Sequence, residues 1–305
     1  PNQALEKLRT ELAQLAATLN RAEQERRQEP WSGIDDMDAF LGKPDPGEVI
    51  AIAGEECYES ASDFGLSVLA NVAFRGTPAA LLSIHSNKPR MAEAELAQPL
   101  ERMTAALSRV NIGKVQGVQE LDEIDRHRLK GGRGQLAQAQ ITRRTLVSDG
   151  TPDVQNVTRN IEEITQANPH VGLVVLEHTF GVAMSRDEAQ ARYYERLMGE
   201  LKKIADREQV IVIVLTFYSL RITDPREDGR PSIADLEPNM SLVSGADRLL
   251  LLYHKTRWEQ LPLCSDSFRK GELEVIVARN KFGPAGSFVC TYTPTECRVE
   301  SHIGE

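Results

Sequence analysis

A chain of 305 residues with 41% hydrophobic content is long enough for one large α/β domain plus an appendage. Its formal charge of -9 argues against generic electrostatic attraction to nucleic acid, although a local basic groove stays possible. No apolar run is long enough to cross a bilayer. The spacing of the four cysteines does not match that of metal ligands, so we expect buried or free thiols and no metal site, at Cys57, Cys264, Cys290 and Cys297. Such thiols are typical of a reducing compartment, so we expect a cytoplasmic protein.

Residues 1–30 predict an amphipathic helix followed by a polar linker. Leucines recur every three or four residues and form a narrow apolar seam of the coiled-coil type, at Leu5, Leu8, Leu12, Leu15 and Leu19. Such a seam needs a partner. Either the helix folds back on its own domain, or it is an interface helix that docks on a neighbouring subunit or on another protein.

Residues 31–305 are predicted to form the main domain, because short β-branched runs alternate there with helical patterns. The predicted strands are 49–53, 79–84, 146–148, 172–176, 210–215, 248–253, 273–278 and 288–293. The predicted helices are 64–75, 91–107, 154–166 and 187–208. Since parallel strands need crossover connections and bury both faces, one doubly wound α/β domain is favoured over two small ones.

Residues 54–63 join the first predicted strand to the first helix, where a nucleotide-binding protein carries a phosphate loop ending in Gly-Lys-Thr. No lysine occurs between Lys43 and Lys88, so no alignment gap can supply the ammonium group that pairs with the phosphates. Acids stand in this stretch instead and would repel a triphosphate, namely Glu55, Glu56, Glu59 and Asp63. The alternative is an exposed turn that only connects strand to helix.

Two further stretches are predicted to be mobile loops, 128–134 (RLKGGRG) and 223–231 (TDPREDGRP), because they combine charges with turn residues. Basic residues in and near the first loop form a candidate nucleic-acid patch, at Lys130, Arg133, Arg143 and Arg144. A charged run is nevertheless more often a solvated face.

These segments together resemble the DnaB-type hexameric replicative helicases. Residues 33–54 resemble the first strand of the RecA-like superfamily, and 278–284 (ARNKFGP) are similar to that family's lysine-glutamine-arginine-asparagine-glycine-proline stretch. Between them, VGLVVLEHTFGVAMS and RPSIADLEPNMSLVSGADRLLLLYH follow its order and spacing. The resemblance implies a RecA-like doubly wound, mostly parallel sheet flanked by helices, and a linker helix that in the family packs on the adjacent subunit.

The chain departs from the family where the family handles nucleotide. Its phosphate loop corresponds here to a stretch without the lysine and the metal-binding hydroxyl, at Gly54, Glu59, Ser60 and Ala61. The family's catalytic glutamate corresponds to His85, which is more often a structural residue than a base. The Walker B aspartate corresponds to Glu177, whose carboxylate could still hold a metal shell.

Two departures concern the response to nucleotide and the contact with DNA. The glutamine that senses the γ-phosphate corresponds to Phe217, whose ring has no hydrogen bond to offer. An arginine on the DNA side corresponds to Glu237, which reverses the charge where a phosphate backbone would pass. The two finger residues that reach a neighbour's nucleotide correspond, with identities exchanged, to Arg279 and Lys281, which could still serve a neighbouring subunit.

The leading hypothesis is a catalytically degenerate homologue that acts as an interaction or regulatory subunit in DNA replication. We expect no ATPase activity and no cofactor. The expected partners are further copies of the chain, an active replicative helicase or another replication protein, and no membrane. One alternative is an active NTP-dependent DNA helicase ring subunit that holds ATP and magnesium in an unorthodox site. Another is a single-stranded nucleic-acid-binding protein.

Overall fold

The computed structural model describes residues 9, 12 and 14 and the ranges 30–55, 60–86, 93–148, 153–178, 188–218, 229–236, 244–254 and 271–302. Its strands are β1 (Val49–Glu55), β2 (Ala79–Ser86), β3 (Ile141–Ser148), β4 (Leu173–His178), β5 (Ile211–Tyr218), β6 (Arg248–Tyr253), β7 (Gly271–Asn280), β8 (Gly286–Thr293) and β9 (Arg298–Ser301). Its helices are α1 (Asp35–Leu41), α2 (Ser60–Phe74), α3 (Glu93–Ser108), α4 (Ile112–Val115), α5 (Glu123–Gln138), α6 (Val154–Ala167) and α7 (Glu188–Glu208).

The strands form one sheet in the order β3-β2-β4-β5-β1-β6-β7-β8-β9. The six strands from β3 to β6 are parallel, whereas β7, β8 and β9 are added as antiparallel neighbours. Each of the eight predicted strands and four predicted helices overlaps an element of the structure. The predicted doubly wound, mostly parallel sheet is therefore confirmed.

The central strands are apolar throughout because both of their faces are covered. Side chains alternate across a strand, so successive residues of β1 enter two different cores. Ile50 and Ile52 pack with residues of α1 and α2, whereas Val49 and Ala51 pack with residues of α6 and α7. Because β1, β2, β4 and β5 are parallel, their carboxyl ends lie along one edge of the sheet.

The prediction of a mobile loop over 128–134 is wrong, because these residues lie within α5. The helix starts with a capping box in which Asp122 accepts a hydrogen bond from the Asp125 backbone and Asp125 accepts one from Asp122. Leu129 and Gly132 are buried along one side. A Cβ on Gly132 would lie 3.0 Å from the Ser108 backbone nitrogen, so this glycine permits close packing of α5 on α3 and does not break the helix.

Helix α2 begins at Ser60, four residues before the predicted start at residue 64. Ser60 and Asp63 therefore belong to a helix, and both are buried. The prediction that 54–63 is a loop throughout is wrong, since only Glu56 to Glu59 separate β1 from α2. The short elements α1, α4 and β9 were not expected either.

Several predicted features lie outside the described residues, including Leu5, Leu8, Leu15, Leu19, Glu56, Cys57, Glu59, Lys88, Glu237, Cys264 and most of 223–231. Leu12, the seam leucine that is described, has helical backbone and is 57% exposed. Cys290 and Cys297 are buried free thiols, as expected, and burial raises the pKa of both. Among the described helices, none is both long and apolar enough to cross a membrane.

The glycines of α5 provide a direct test of its helical state. A Cβ on Gly134 would meet open space, so Gly134→Ala should stabilise the fold by about 0.5–1 kcal/mol, because alanine loses less backbone entropy. Gly132→Ala should instead destabilise it by about 1–3 kcal/mol, through overpacking against Ser108. Urea unfolding of the two variants beside the parent chain measures both. A destabilising Gly134→Ala would argue that this segment is not helical.

Candidate functional site

The carboxyl ends of the parallel strands bring together four of the predicted site residues. Gly54 lies near the end of β1, His85 near the end of β2, Glu177 near the end of β4 and Phe217 near the end of β5. Gly54 and Phe217 face each other across the β1–β5 pair. This edge is where open α/β sheets bind their ligands, so the structure gathers the predicted positions at the expected place.

The start of α2 lies tightly against the end of β1. A Cβ on Gly54 would be 2.8 Å from the Ser60 Oγ atom and 3.0 Å from the Ala61 backbone nitrogen. Any larger residue at Gly54 would push the helix away from the strand. The end of β1 and the start of α2 are thus in close contact. The correspondence of Ser60 and Ala61 to the lysine and hydroxyl positions of a phosphate loop stays a prediction.

Glu177 is held by two serine hydroxyl groups. Ser62 donates from its Oγ to Glu177 Oε1 over 2.6 Å, and Ser83 donates from its Oγ to Oε2 over 3.0 Å. The carboxylate is only 7% exposed, so both of its oxygens are fixed in a largely dry place. These bonds join α2, β2 and β4 at the centre of the edge.

Sequence reasoning did not single out Ser62 or Ser83. Ser83 lies two residues before His85, and strand alternation places the two side chains on one face of β2. That spacing was a usable signal. Ser62 carried no comparable signal, because its role depends on α2 beginning four residues early.

Asp63 does not contribute the repulsive charge that was predicted for it. It is 2% exposed, and its Oδ1 accepts hydrogen bonds from Arg102 Nε at 2.9 Å and Nη2 at 2.8 Å. Tyr292 donates its hydroxyl to Oδ2 over 2.7 Å. Burial raises the pKa of Asp63 to about 7, although the hydrogen bonds from Tyr292 and Cys297 lower it. Burial also raises the pKa of Tyr292 and of Cys297, so both stay protonated and can donate to Asp63. Asp63 therefore joins α2 to α3 and β8 and does not act on a ligand.

Comparison with known proteins supplies the family. A model of the DnaB-like helicase C terminal domain family matches residues 31–301. This chain belongs to that family. The family resemblance expected from the sequence is confirmed.

The curated relatives of this DnaB-like chain are replicative helicases. Replicative DNA helicase DnaB of Buchnera aphidicola subsp. Schizaphis graminum is 25% identical over 90% of this chain and 55% of its own length. The Haemophilus influenzae DnaB is 24% identical over 84% of this chain and 51% of its own. Replicative DNA helicase DnaC of Bacillus subtilis is 24% identical over 84% of this chain and 53% of its own length. The chain spans about half the length of the curated relatives it matches.

Solved structures share the RecA-like fold of the family. One of them, described as an ATPase domain, superimposes with a TM-score of 0.73 at 19% identity, and the match covers 94% of this chain and 98% of that one. A DnaB-like replicative helicase, described together with its interactions with primase, gives a TM-score of 0.72 at 19% identity, covering 94% of this chain and 66% of that one. At this identity the likeness shows the fold alone.

The residues that match the DnaB-like fingers lie at the opposite, amino edge of the sheet. Lys281 Nζ is 2.6 Å from Asp247 Oδ1, and Lys202 Nζ is 2.9 Å from Oδ2 of the same carboxylate. Burial alone would raise the pKa of Asp247, but hydrogen bonds from Lys281, the Val49 backbone and Lys202 lower it. Lys281 is thus engaged within its own chain. The assignment of Arg279 and Lys281 to a subunit interface stays a prediction.

The structure divides the predicted basic patch between the two faces of the sheet. Alternation along β3 places Arg143 on the same side as Ile141, whose side chain packs with the α1 and α2 core. Arg144 lies on the other side, where Nη1 binds Glu163 and the Asn160 Oδ1 atom of α6. Lys130 and Arg133 are exposed on α5. The four residues therefore do not form one continuous patch.

The Asp63 contacts predict a large stability effect. Asp63→Ala should cost about 3–5 kcal/mol, because it leaves the Arg102 guanidinium buried without its counter-charge. Tyr292→Phe removes a single hydrogen bond and should cost only about 1 kcal/mol. Denaturant unfolding of the two single variants measures these stability changes. The double variant Asp63→Leu/Arg102→Met should recover part of the stability lost in Asp63→Ala. If Asp63→Ala destabilised the fold less than Tyr292→Phe does, the ion pair between Asp63 and Arg102 would not be formed.

Proposed function

We propose that this protein is a catalytically degenerate member of the DnaB-like family that serves as an interaction or regulatory subunit in cytoplasmic DNA replication. The observation that carries the proposal is the residue at the phosphate-loop lysine position, which is Ser60, buried beside Gly54 in a stretch with no lysine between Lys43 and Lys88. Family membership implies ATP and magnesium. These ligands need groups that neutralise the phosphates and oxygen atoms that coordinate the metal.

The side chains at the strand-to-helix turn fit a triphosphate poorly. Phosphate loops bind the β and γ phosphates through backbone N–H groups and a lysine ammonium group. Ser60 stands at the lysine position and is buried beside Gly54, so it offers a short neutral hydroxyl. Glu55, at the end of β1, adds negative charge at the place where negative phosphates would lie.

The metal position fits magnesium poorly for a related reason. Magnesium takes oxygen ligands in a strict octahedral arrangement and keeps several waters. Ala61 has no hydroxyl to offer, and the hydroxyl of the adjacent Ser62 is already donated to Glu177. Each Glu177 oxygen already accepts one serine hydroxyl, which uses part of the carboxylate's acceptor capacity. We derive no hydrolytic step through this site.

The size of the deficit supports loss of activity over reduced activity. Removing a single group that stabilises the transition state typically lowers the rate about 10²–10³-fold. Here the lysine, the metal-binding hydroxyl, the catalytic glutamate and the sensing glutamine are all replaced, the last two by His85 and Phe217. Phosphoryl transfer depends almost entirely on positioning and charge neutralisation, which these groups supply in the family.

The frame around the site is nevertheless intact, and this supports a retained binding role. Gly54 keeps the close strand-to-helix return, and a Cβ on Gly65 would lie 2.6 Å from a Leu215 methyl carbon. The packing of α2 on the sheet thus still requires glycine there. A fold that keeps its packing positions while its chemical positions change is expected when its surface is what matters.

Replication proteins are the partner class that this proposal favours. The curated relatives are replicative helicases, and one solved relative is described through its interactions with primase. We therefore propose another copy of this chain, an active replicative helicase or a replication protein as the partner. The leucine seam of residues 1–20 and the finger positions Arg279 and Lys281 are the proposed contact regions.

The nucleotide prediction can be tested by calorimetry with a repaired variant. The parent chain should show neither heat of binding with a non-hydrolysable ATP analogue and magnesium nor steady ATP turnover. A variant that restores the phosphate loop, Glu59→Gly/Ser60→Lys/Ala61→Thr, should gain at least about tenfold in affinity, since the lysine adds a charge-assisted contact. Tight binding with steady turnover by the parent chain would refute the proposal. Turnover that DNA stimulates and Arg279→Ala abolishes would instead support an active ring subunit.

The partner prediction needs a measurement of mass. Size-exclusion chromatography with light scattering, run on the chain alone and mixed with an active replicative helicase from the same source, separates self-assembly from partner binding. A co-eluting complex or a defined homo-oligomer is expected, and Leu8→Glu/Leu15→Glu should disrupt it by placing charges in the seam. A monomer under both conditions at tens of micromolar would contradict an interaction role.

A further inference from the structure

Helix α5 carries positive side chains that no acidic group in the described structure neutralises. Arg126, Arg128, Lys130 and Arg133 are all exposed. None of the four makes an ion pair or a side-chain hydrogen bond within the described residues. Many other basic side chains of the molecule are paired, as Arg144 is with Glu163. Exposed guanidinium and ammonium groups without counter-charges produce a local positive potential on a chain whose formal charge is -9.

Three of these residues form a straight stripe. Arg126, Lys130 and Arg133 are spaced i, i+4 and i+7, so they fall within about 60° of one another around the helix. The buried side of α5, with Leu129 and Gly132, packs against α3 and the core. The stripe therefore has a fixed position on a helix that cannot rotate.

The length of the stripe matches the spacing of charges in nucleic acid. Seven residues of α-helix rise about 10 Å. Along one strand of duplex DNA, about 10 Å of axis contains about three phosphates, one per 3.4 Å. Arg126, Lys130 and Arg133 thus offer three cations over the distance that contains three phosphates.

The surroundings of the stripe favour a polyanion over a protein or a membrane. A Cβ on Gly131 or Gly134 would meet nothing within 4 Å, so the exposed surface of α5 beside the stripe is open, and these two positions carry no apolar side chain. Protein interfaces depend on buried aromatic or aliphatic anchors, and membrane-surface helices need a free apolar face. The exposed Ile124 lies about 160° from Arg126 around the helix and so outside the stripe.

We propose that Arg126, Lys130 and Arg133 bind the phosphodiester backbone of nucleic acid. The stripe has no aromatic side chain on which bases could stack, so the contact is made to phosphates and does not read sequence. The site is on α5, which precedes the edge strand β3. It needs neither nucleotide nor the proposed regulatory role, and so it stands or falls independently of them.

The test is fluorescence anisotropy with a labelled 20-nucleotide single strand and the duplex of the same sequence, at 50–200 mM salt. Three phosphate contacts predict a slope of log affinity against log salt of about -2.7 for duplex and about -2.1 for the single strand. A fourfold rise in salt should therefore weaken binding about 40-fold for the duplex and about 20-fold for the single strand. The triple variant Arg126→Gln/Lys130→Gln/Arg133→Gln should bind more than about tenfold more weakly at 50 mM salt, with a slope near zero.

A charge-matched control is available on the other side of the sheet. Arg159→Gln/Arg196→Gln/Lys203→Gln removes the same charge from exposed positions of α6 and α7 and should bind as the parent chain does. Circular dichroism of all variants checks that α5 remains helical.

Three outcomes would overturn the proposal. The first is no binding by the parent chain to either DNA at 50 mM salt. The second is an equal loss in the stripe variant and the control, which would indicate net charge alone. The third is polyglutamate competing as well as DNA at equal charge, which would assign the stripe to acidic protein segments.

Discussion

The position of helix α2 is the constraint on which the rest of the structure depends. Small residues let it lie unusually close to the sheet, since a Cβ on Gly65 would lie 2.6 Å from Leu215 on β5. Polar residues then connect it to other elements: Ser62 to Glu177 on β4, and Asp63 to Arg102 on α3. Because the interior is close-packed, these contacts permit little shift of the helix. The first turn of α2 therefore keeps its place beside the end of β1.

This arrangement separates the residues that position α2 from those predicted to contact a nucleotide. Ser62, Asp63 and Gly65 hold α2 in place through contacts with β4, α3 and β5. Ser60 and Ala61 are the positions predicted to face a nucleotide. The contacts of Ser62, Asp63 and Gly65 do not involve the side chains of Ser60 or Ala61. The fold by itself therefore does not indicate activity.

Sequence patterns predicted the buried strands well because their signal is local. A strand such as β5, covered on both faces, must be a continuous apolar run, and that run is visible in eight residues. Helix α5 was missed because glycines usually break helices, whereas Gly132 is required by an approach to Ser108 that sequence does not display. The role of Asp63 was missed for the same kind of reason. Its partners lie 39 and 229 residues away in the chain, so only the folded structure shows that its charge is compensated.

Charged side chains at the amino edge of the sheet form ion pairs within the chain, whereas the basic residues of α5 form none within the part of the chain that the structure describes. At the amino edge, Asp247 binds both Lys202 and Lys281, and the buried Arg248 binds Glu48 through two nitrogens. Such pairs hold strands and helices together and leave little field outside the molecule, because opposite charges at short distance cancel beyond a Debye length. The basic residues of α5 differ in that nothing in the described structure cancels them. Uncompensated charge on a rigid helix costs little stability in water, and an interaction with a polyanion gives a physical reason for keeping it there.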